Sequence, residues 1–117
     1  MKKSPQNVKE AIKSSKSASF TIKNDKSQAL KTIVRFAQAN GYKVDSIDDA
    51  QYTVVLSDSV SATTWGFFYM IQIDDYSAGN NKISVGVKSK VTQGGPIVDR
   101  NLEKCVNGFK ATFYAES

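Results

Sequence analysis

The chain has 117 residues, of which 40% are hydrophobic and 23% charged, and its formal net charge is +5. This length and composition are typical of one globular domain and exclude a fibrous repeat or a wholly disordered chain. The single cysteine, Cys105, excludes an internal disulfide, and the absence of histidine removes the most common general base and metal ligand. We therefore expect a protein that is not an enzyme and has no cofactor.

The positive charge is concentrated near the start of the chain. Residues 1–31 hold eight lysines and two acidic residues, whereas the remaining residues hold eight basic and nine acidic ones. Such an asymmetry is typical of an arm that contacts phosphate, in nucleic acid or an anionic membrane, and also of a solvated leader. The candidate phosphate-facing residues are Lys2, Lys3, Lys9, Lys13 and Lys16. Only two basic residues are arginines, which disfavours specific nucleic-acid recognition.

The sequence contains no membrane-spanning pattern. No stretch approaches the ~20 consecutive apolar residues that a membrane helix requires. The first three residues resemble the basic start of a signal peptide, but the polar residues 4–7 follow where an apolar run is needed. As written, the chain is expected in the cytoplasm. A location in the bacterial envelope is expected instead if a leader was removed, so the compartment stays open.

Residues 1–19 are predicted to form a leader that precedes the domain. Ser4 and Pro5 suit the start of a helix over residues 5–16. The thin apolar face of this helix consists of Val8, Ala11 and Ile12. A helix of this length is marginal in water unless it docks on another surface. The serine-rich run 14–19 that follows is predicted to be a linker.

Residues 20–117 are predicted to form a single α+β domain. Its expected elements are a strand at 20–22, a helix at about 26–40, strands at 42–47, 52–56, about 62–74 and about 82–92, and a helix at about 97–114. We expect a single antiparallel sheet of about four to five strands, in the order β-α-β-β-β-β-α after the short N-terminal helix. The two long helices are predicted to cover the sheet face that carries Trp65, Phe67, Tyr69, Val85 and Val87.

This order of elements, with a helix that ends in Asn-Gly-Tyr, is shared with known families. The residues on which the resemblance rests are Ala29, Leu30, Gly41, Tyr42, Val44, the run 82–87 and the closing helix from Asp99 to Phe113. The chain resembles small domains of bacterial envelope lipoproteins, including the repeated domains of the outer-membrane assembly lipoprotein BamC, and also the TATA-binding-protein-like and helix-grip folds. The resemblance implies an accessory or binding module, with no catalytic residues to transfer.

The second face of the longest predicted strand is more apolar than a sheet covered on one side requires. Phe68 and Met70 form an apolar strip there. A contiguous exposed apolar surface is typical of a site for a partner, a ligand or a second copy. Alternatively, the N-terminal helix folds back and covers the strip. The candidate interaction residues are Phe68 and Met70, with a rim of Lys88 and Lys90.

The other chemically suggestive residues favour structural roles. The pairs Asp48-Asp49 and Asp74-Asp75 fall in predicted polar turns, where adjacent carboxylates do not flank a substrate. The Gly94-Gly95-Pro96 run precedes a helix but lacks the spacing of a nucleotide loop. Cys105 is predicted to be a core residue, because no histidine is present to activate its thiol.

Taken together, these patterns predict a non-enzymatic accessory module that binds a protein partner or a small apolar ligand through an open sheet face. Self-association as a homodimer and association with the bacterial envelope are further expectations. The alternative is a binder of nucleic acid or anionic membrane through the lysine-rich N-terminal segment. The two differ in salt dependence, because phosphate binding weakens steeply with added salt and apolar association does not.

Overall fold

A computed structural model of the chain describes residues 7–58, 66–89 and 96–116. The elements in these ranges are α1 (Val8–Lys13), β1 (Lys16–Ile22), α2 (Lys26–Ala39), β2 (Lys43–Asp48), β3 (Thr53–Ser57), β4 (Phe67–Ser77), β5 (Asn80–Ser89) and α3 (Pro96–Glu116). The strands form one five-stranded antiparallel sheet in the order β1-β5-β4-β3-β2. The predicted α+β fold class is confirmed.

The boundaries of α2 follow from local chemistry that the sequence reveals. At the start of the helix, the Asp25 carboxylate accepts a hydrogen bond from the Gln28 backbone N–H at 2.8 Å. At its end, the Asn40 N–H donates to the Phe36 carbonyl at 3.0 Å, and Gly41 takes a φ of +79°. The predicted helix therefore ends within one residue of the observed one.

We call the sheet face that contacts α2 and α3 the inner face. It contains four of the five residues predicted for it, and all four are buried: Phe67, Tyr69, Val85 and Val87. The fifth, Trp65, lies outside the described residues. The stripe predicted on α3 is also buried at Val98, Cys105, Phe109 and Phe113. The inner face and these two helices form the main core.

The N-terminal elements differ from the prediction. α1 is shorter than the expected helix over 5–16, and Asn7 caps it by accepting a hydrogen bond from the Glu10 N–H at 3.2 Å. β1 begins at Lys16, so residues 16–19, predicted to be in a linker, are the first four of the seven residues of an edge strand paired with β5. The small side chains of residues 17–19 are sufficient for this strand, because its pairing with β5 uses main-chain hydrogen bonds. The division of the chain at residue 19 remains a prediction.

The two long helices are in close contact at Gly108 of α3. A Cβ atom on this glycine would lie 2.7 Å from Cζ of Phe36 in α2. The Phe36 ring is buried and packs on Phe109, with ring centroids 4.6 Å apart. A side chain at position 108 would therefore meet a ring that has little room to move.

Replacing Gly108 by alanine is expected to destabilise the protein, even though alanine favours a helix by about 1 kcal/mol over glycine. The added methyl group would overpack the contact with Phe36, which typically costs about 1–3 kcal/mol. Urea unfolding measures the effect, with the exposed neighbour changed in Asn107→Ala as the control. A Gly108→Ala protein that is more stable than the wild type would contradict the observed helix contact.

Candidate functional site

The predicted interaction strip does not form an open surface. Phe68 and Met70 are buried, with only 5% and 0% of their surface exposed, and they pack with Val55 against α1. α1 covers them with the face predicted for it, which consists of Val8, Ala11 and Ile12. The expectation of an open sheet face is therefore wrong at these two residues, and the alternative of a covering helix is the one observed. We call this covered side the outer face.

The close seating of α1 depends on a glycine in β5. A Cβ atom on Gly86 would lie 2.6 Å from Oγ of Ser15 and 3.2 Å from Cα of Ile12. Because part of this contact is with backbone, a side chain here would require α1 to shift. The absence of a side chain at position 86 thus allows the helix to lie flat on the sheet.

The predicted lysines are not brought together into one patch. Lys9 and Lys13 are exposed on α1, and Lys88 is half-buried opposite Phe68 on the outer face. Lys16 instead pairs in register with the buried Val87, and its Nζ lies 3.9 Å from a carboxylate oxygen of Asp99 in α3. Lys2, Lys3 and Lys90 lie outside the described residues.

A polar cluster joins the ends of β3 and β4. The Asp58 carboxylate accepts hydrogen bonds from the Phe67 backbone N–H and from the Tyr69 hydroxyl, both at 2.7 Å. Tyr42 packs edge-on against Tyr69, with ring centroids 5.0 Å apart. The carboxylate thus holds the first residues of β4 in place and satisfies a buried hydroxyl.

Three ionisable groups in and near this cluster stay protonated at neutral pH: Cys105, Tyr42 and Tyr69. Burial, reinforced by the Asp58 charge, raises the pKa of the Cys105 thiol to about 12. Burial also raises the pKa of Tyr42 to about 12, with further contributions from Cys105 and Asp58. The pKa of Tyr69 is raised by burial first and then by its hydrogen bond to Asp58. The thiolate needed for nucleophilic chemistry is therefore disfavoured.

At least one carboxylate of each predicted pair has a structural partner. Oδ1 of Asp48 accepts hydrogen bonds from the Ala50 and Gln51 N–H groups in the β2–β3 turn. A carboxylate oxygen of Asp75 lies 3.3 Å from Nζ of Lys26. Among the described residues, no group of acidic or cysteine side chains could hold a metal ion. None of the helices in the described ranges is both long and apolar enough to cross a membrane.

The structure reveals a groove that the sequence did not predict. It has a volume of about 750 Å³, follows α2 and reaches β2. Its described lining consists of Asn24, Gln28, Leu30, Lys31, Thr32, Val34, Arg35 and Ile47. This volume lies within the ~300–1,000 Å³ range of small-molecule pockets in proteins. We call it the α2 groove.

The apolar part of the α2 groove forms where the helix meets the edge of the sheet. Leu30 and Val34 are one turn apart on α2 and only half-buried, beside the fully buried Ile33. Ile47 pairs with the buried Val54 and so lies on the inner face. Because β2 is an edge strand, however, Ile47 remains 48% exposed. The groove is thus bordered by apolar side chains that the rest of the protein covers only in part.

Sequence reasoning assigned these residues to other roles. Leu30 and Val34 were expected in the core stripe of their helix, and Ile47 was expected only as a strand residue. The available signal was the pair of cations at Lys31 and Arg35, which follow the two apolar residues along the helix. That signal is common on solvated helices and does not by itself indicate a groove.

Comparison with known proteins bears on the fold. The chain matches no protein-family model and no curated protein. It is similar to the crystal structure of Ara h 8.0201, at 16% identity, with 86% of this chain and 95% of that chain covered and a TM-score of 0.64. It is also similar to a START superfamily protein from Mycobacterium smegmatis, at 6% identity, with 86% and 94% covered and a TM-score of 0.55. A DUF4468 family protein from Bacteroides ovatus matches at 14% identity, with 83% and 78% covered and a TM-score of 0.36.

The first two structures show a helix-grip, START-like α+β fold. This chain has that fold. Of the resemblances expected from the sequence, the helix-grip one is supported, whereas no family match supports the BamC-like or TATA-binding-protein-like ones. At 16% and 6% identity the likeness establishes the fold alone, so the ligand must be argued from the residues of this chain.

Replacing Met70 by alanine is expected to lower the free energy of unfolding by about 2–5 kcal/mol, because the change leaves a cavity under α1. Urea unfolding measures this loss, and Lys88→Ala on the same face is the control, with an expected change within about 0.5 kcal/mol. A Met70→Ala protein that keeps its stability but loses self-association would contradict the covered outer face.

The free energy of unfolding is expected to fall as the pH rises above 9. In the unfolded chain Cys105 ionises near pH 9.0 and Tyr42 near pH 10.0, whereas in the folded protein both pKa values are about 12. The unfolded state therefore releases protons that the folded state retains, and each group adds a slope of up to about 1.4 kcal/mol per pH unit. Urea unfolding across this range tests the sign. Cys105→Ala should flatten the decline just above pH 9, and an unchanged slope would contradict the burial of the thiol.

Proposed function

We propose that this protein is a non-enzymatic binding module that holds a small apolar ligand in the α2 groove. The observation that carries the proposal is the groove itself, which combines a volume of about 750 Å³ with the apolar side chains of Leu30, Val34 and Ile47. A ligand that covers these side chains removes apolar surface from water, which is the general source of small-molecule affinity.

Ile47 is expected to contribute most of this apolar affinity. It has 48% of its surface exposed, whereas Leu30 and Val34 are half-buried. Covering the whole side chain of an isoleucine is worth roughly 1.5–3 kcal/mol, and covering its exposed half is worth about 1 kcal/mol. Single exposed apolar residues are ordinary on protein surfaces. Three that share one groove support a binding role.

The two faces of the sheet offer less to a ligand. The outer face is covered by α1 at Phe68 and Met70. The inner face is filled by aromatic rings, among which Phe67 and Tyr69 lie 6.5 Å apart between centroids. The Cys105 thiol is buried and protonated, and the Asp58 carboxylate accepts two hydrogen bonds from the fold. These features support binding in preference to catalysis.

The other roles expected from the sequence remain proposals with less support. A protein partner or a second copy would have to use a surface other than Phe68 and Met70, unless α1 moved. Binding of nucleic acid or anionic membrane would rely on exposed lysines such as Lys9 and Lys13. The Nζ of Lys13 lies 3.8 Å from Glu10, but such exposed pairs are worth little and would not prevent phosphate binding.

The neutral fluorescent probe phenylnaphthylamine tests the proposed function. Its fluorescence rises on transfer to an apolar site, so a titration gives the dissociation constant. Replacing Ile47 by asparagine is expected to weaken binding about five- to tenfold, because the probe then covers a polar side chain instead of an apolar one.

Tyr76→Asn provides the matched control, because Tyr76 is also a large exposed side chain, at 63%, and lies outside the described lining of the α2 groove. This variant should bind the probe as the wild type does. Equal effects of the two substitutions, or no binding by the wild type, would contradict the proposal.

A further inference from the structure

The α2 groove carries positive charge beside its apolar residues. Lys31 and Arg35 both belong to its lining and are four residues apart on α2, so they lie side by side on the helix surface. The described lining contains no aspartate or glutamate. Both charged residues of the described lining are therefore positive, which favours a ligand with a negative charge next to an apolar surface.

Lys31 differs in its contacts from several other lysines near the N-terminus. Lys13, Lys16 and Lys26 each lie within 4.0 Å of a carboxylate oxygen, on Glu10, Asp99 and Asp75 respectively. In the part of the chain that the structure describes, Lys31 forms no ion pair. Its charge is thus available to a ligand without the loss of an internal contact.

The Arg35 side chain is oriented by its own helix. One guanidinium nitrogen, Nη2, donates a hydrogen bond to Oγ1 of Thr32 at 3.1 Å, and Thr32 is buried. This contact restricts the rotation of the long side chain before a ligand arrives. A guanidinium held in this way can donate to an oxyanion with a smaller loss of side-chain entropy than a free one.

We propose that the ligand of the α2 groove is a small amphipathic anion, in which an apolar body is joined to a single carboxylate or sulfonate. This inference rests on the proposed function and adds the chemical class of the ligand. The apolar body covers Leu30, Val34 and Ile47, and the anionic group binds Lys31 and Arg35. The ligand is a free small molecule, because the groove has the volume of a small-molecule pocket and not the area of a membrane-binding face.

Two probes of nearly identical shape test the inference. Anilinonaphthalene sulfonate is phenylnaphthylamine with one added sulfonate, so the ratio of their dissociation constants reports the contribution of the negative charge. We expect the wild type to bind the sulfonate at least about tenfold more tightly than the neutral probe, because charge-assisted hydrogen bonds to the sulfonate add to the affinity. The double variant Lys31→Gln/Arg35→Gln should lose this preference while its affinity for the neutral probe changes less than about twofold.

The double variant Arg100→Gln/Lys104→Gln is the matched control. It removes the same two charges at the same spacing from exposed positions on α3. It should retain the preference for the sulfonate, which separates a local contact from the effect of net charge. Loss of the preference in this control as well would overturn the inference.

The remaining outcomes separate the two proposals. If the wild type binds both probes equally, the inference of an anionic ligand fails and the proposed function stands. If neither probe binds, the proposed function fails. Sedimentation with phosphatidylserine vesicles addresses the other source of negative charge: binding that is lost in Lys31→Gln/Arg35→Gln would overturn the assignment to a free small molecule. Absence of vesicle binding is the expected result.

Discussion

The burial of β4 on both faces is the constraint on which the rest of the structure depends. Seven consecutive residues, Phe67–Ile73, are buried, so the sheet cannot leave either face of this central strand in water. α2 and α3 cover the inner face, and α1 covers Phe68 and Met70 on the outer one. The five-stranded sheet is therefore the middle layer of the molecule at β4, with helices on both of its faces.

This double cover determines where a ligand can bind. On the inner side of the sheet, Phe36 of α2 lies against Gly108 of α3. On the outer side, Ile12 of α1 lies against Gly86 of β5. These contacts leave little room for a side chain at position 86 or 108. Uncovered apolar surface remains at the edge, where Ile47 of β2 extends beyond the core. The candidate site is thus a consequence of the limited width of the helical layer.

The extent to which the sequence predicted this structure differs between elements. The alternation of apolar residues predicted the inner face, including Tyr69 and Val85, because one strand face and one helix stripe produce regular periods. The cover of Phe68 by α1 was one of two open alternatives, since docking of a short helix depends on tertiary contacts. The exposure of Ile47 could not be predicted, because it depends on β2 lying at the sheet edge. Strand order is not visible in the periodicity.

The central claim is that a ligand binds along α2 and not on either face of the sheet. Nuclear magnetic resonance of the amide-labelled protein, titrated with phenylnaphthylamine, tests it most directly because every assigned amide reports its own surroundings. The account predicts that the largest shifts occur at Leu30–Arg35 and Ile47, with little change at Val55 and Met70. Shifts concentrated in α1 and at Met70 would contradict it, because they would show that the probe displaces the helix from the outer face.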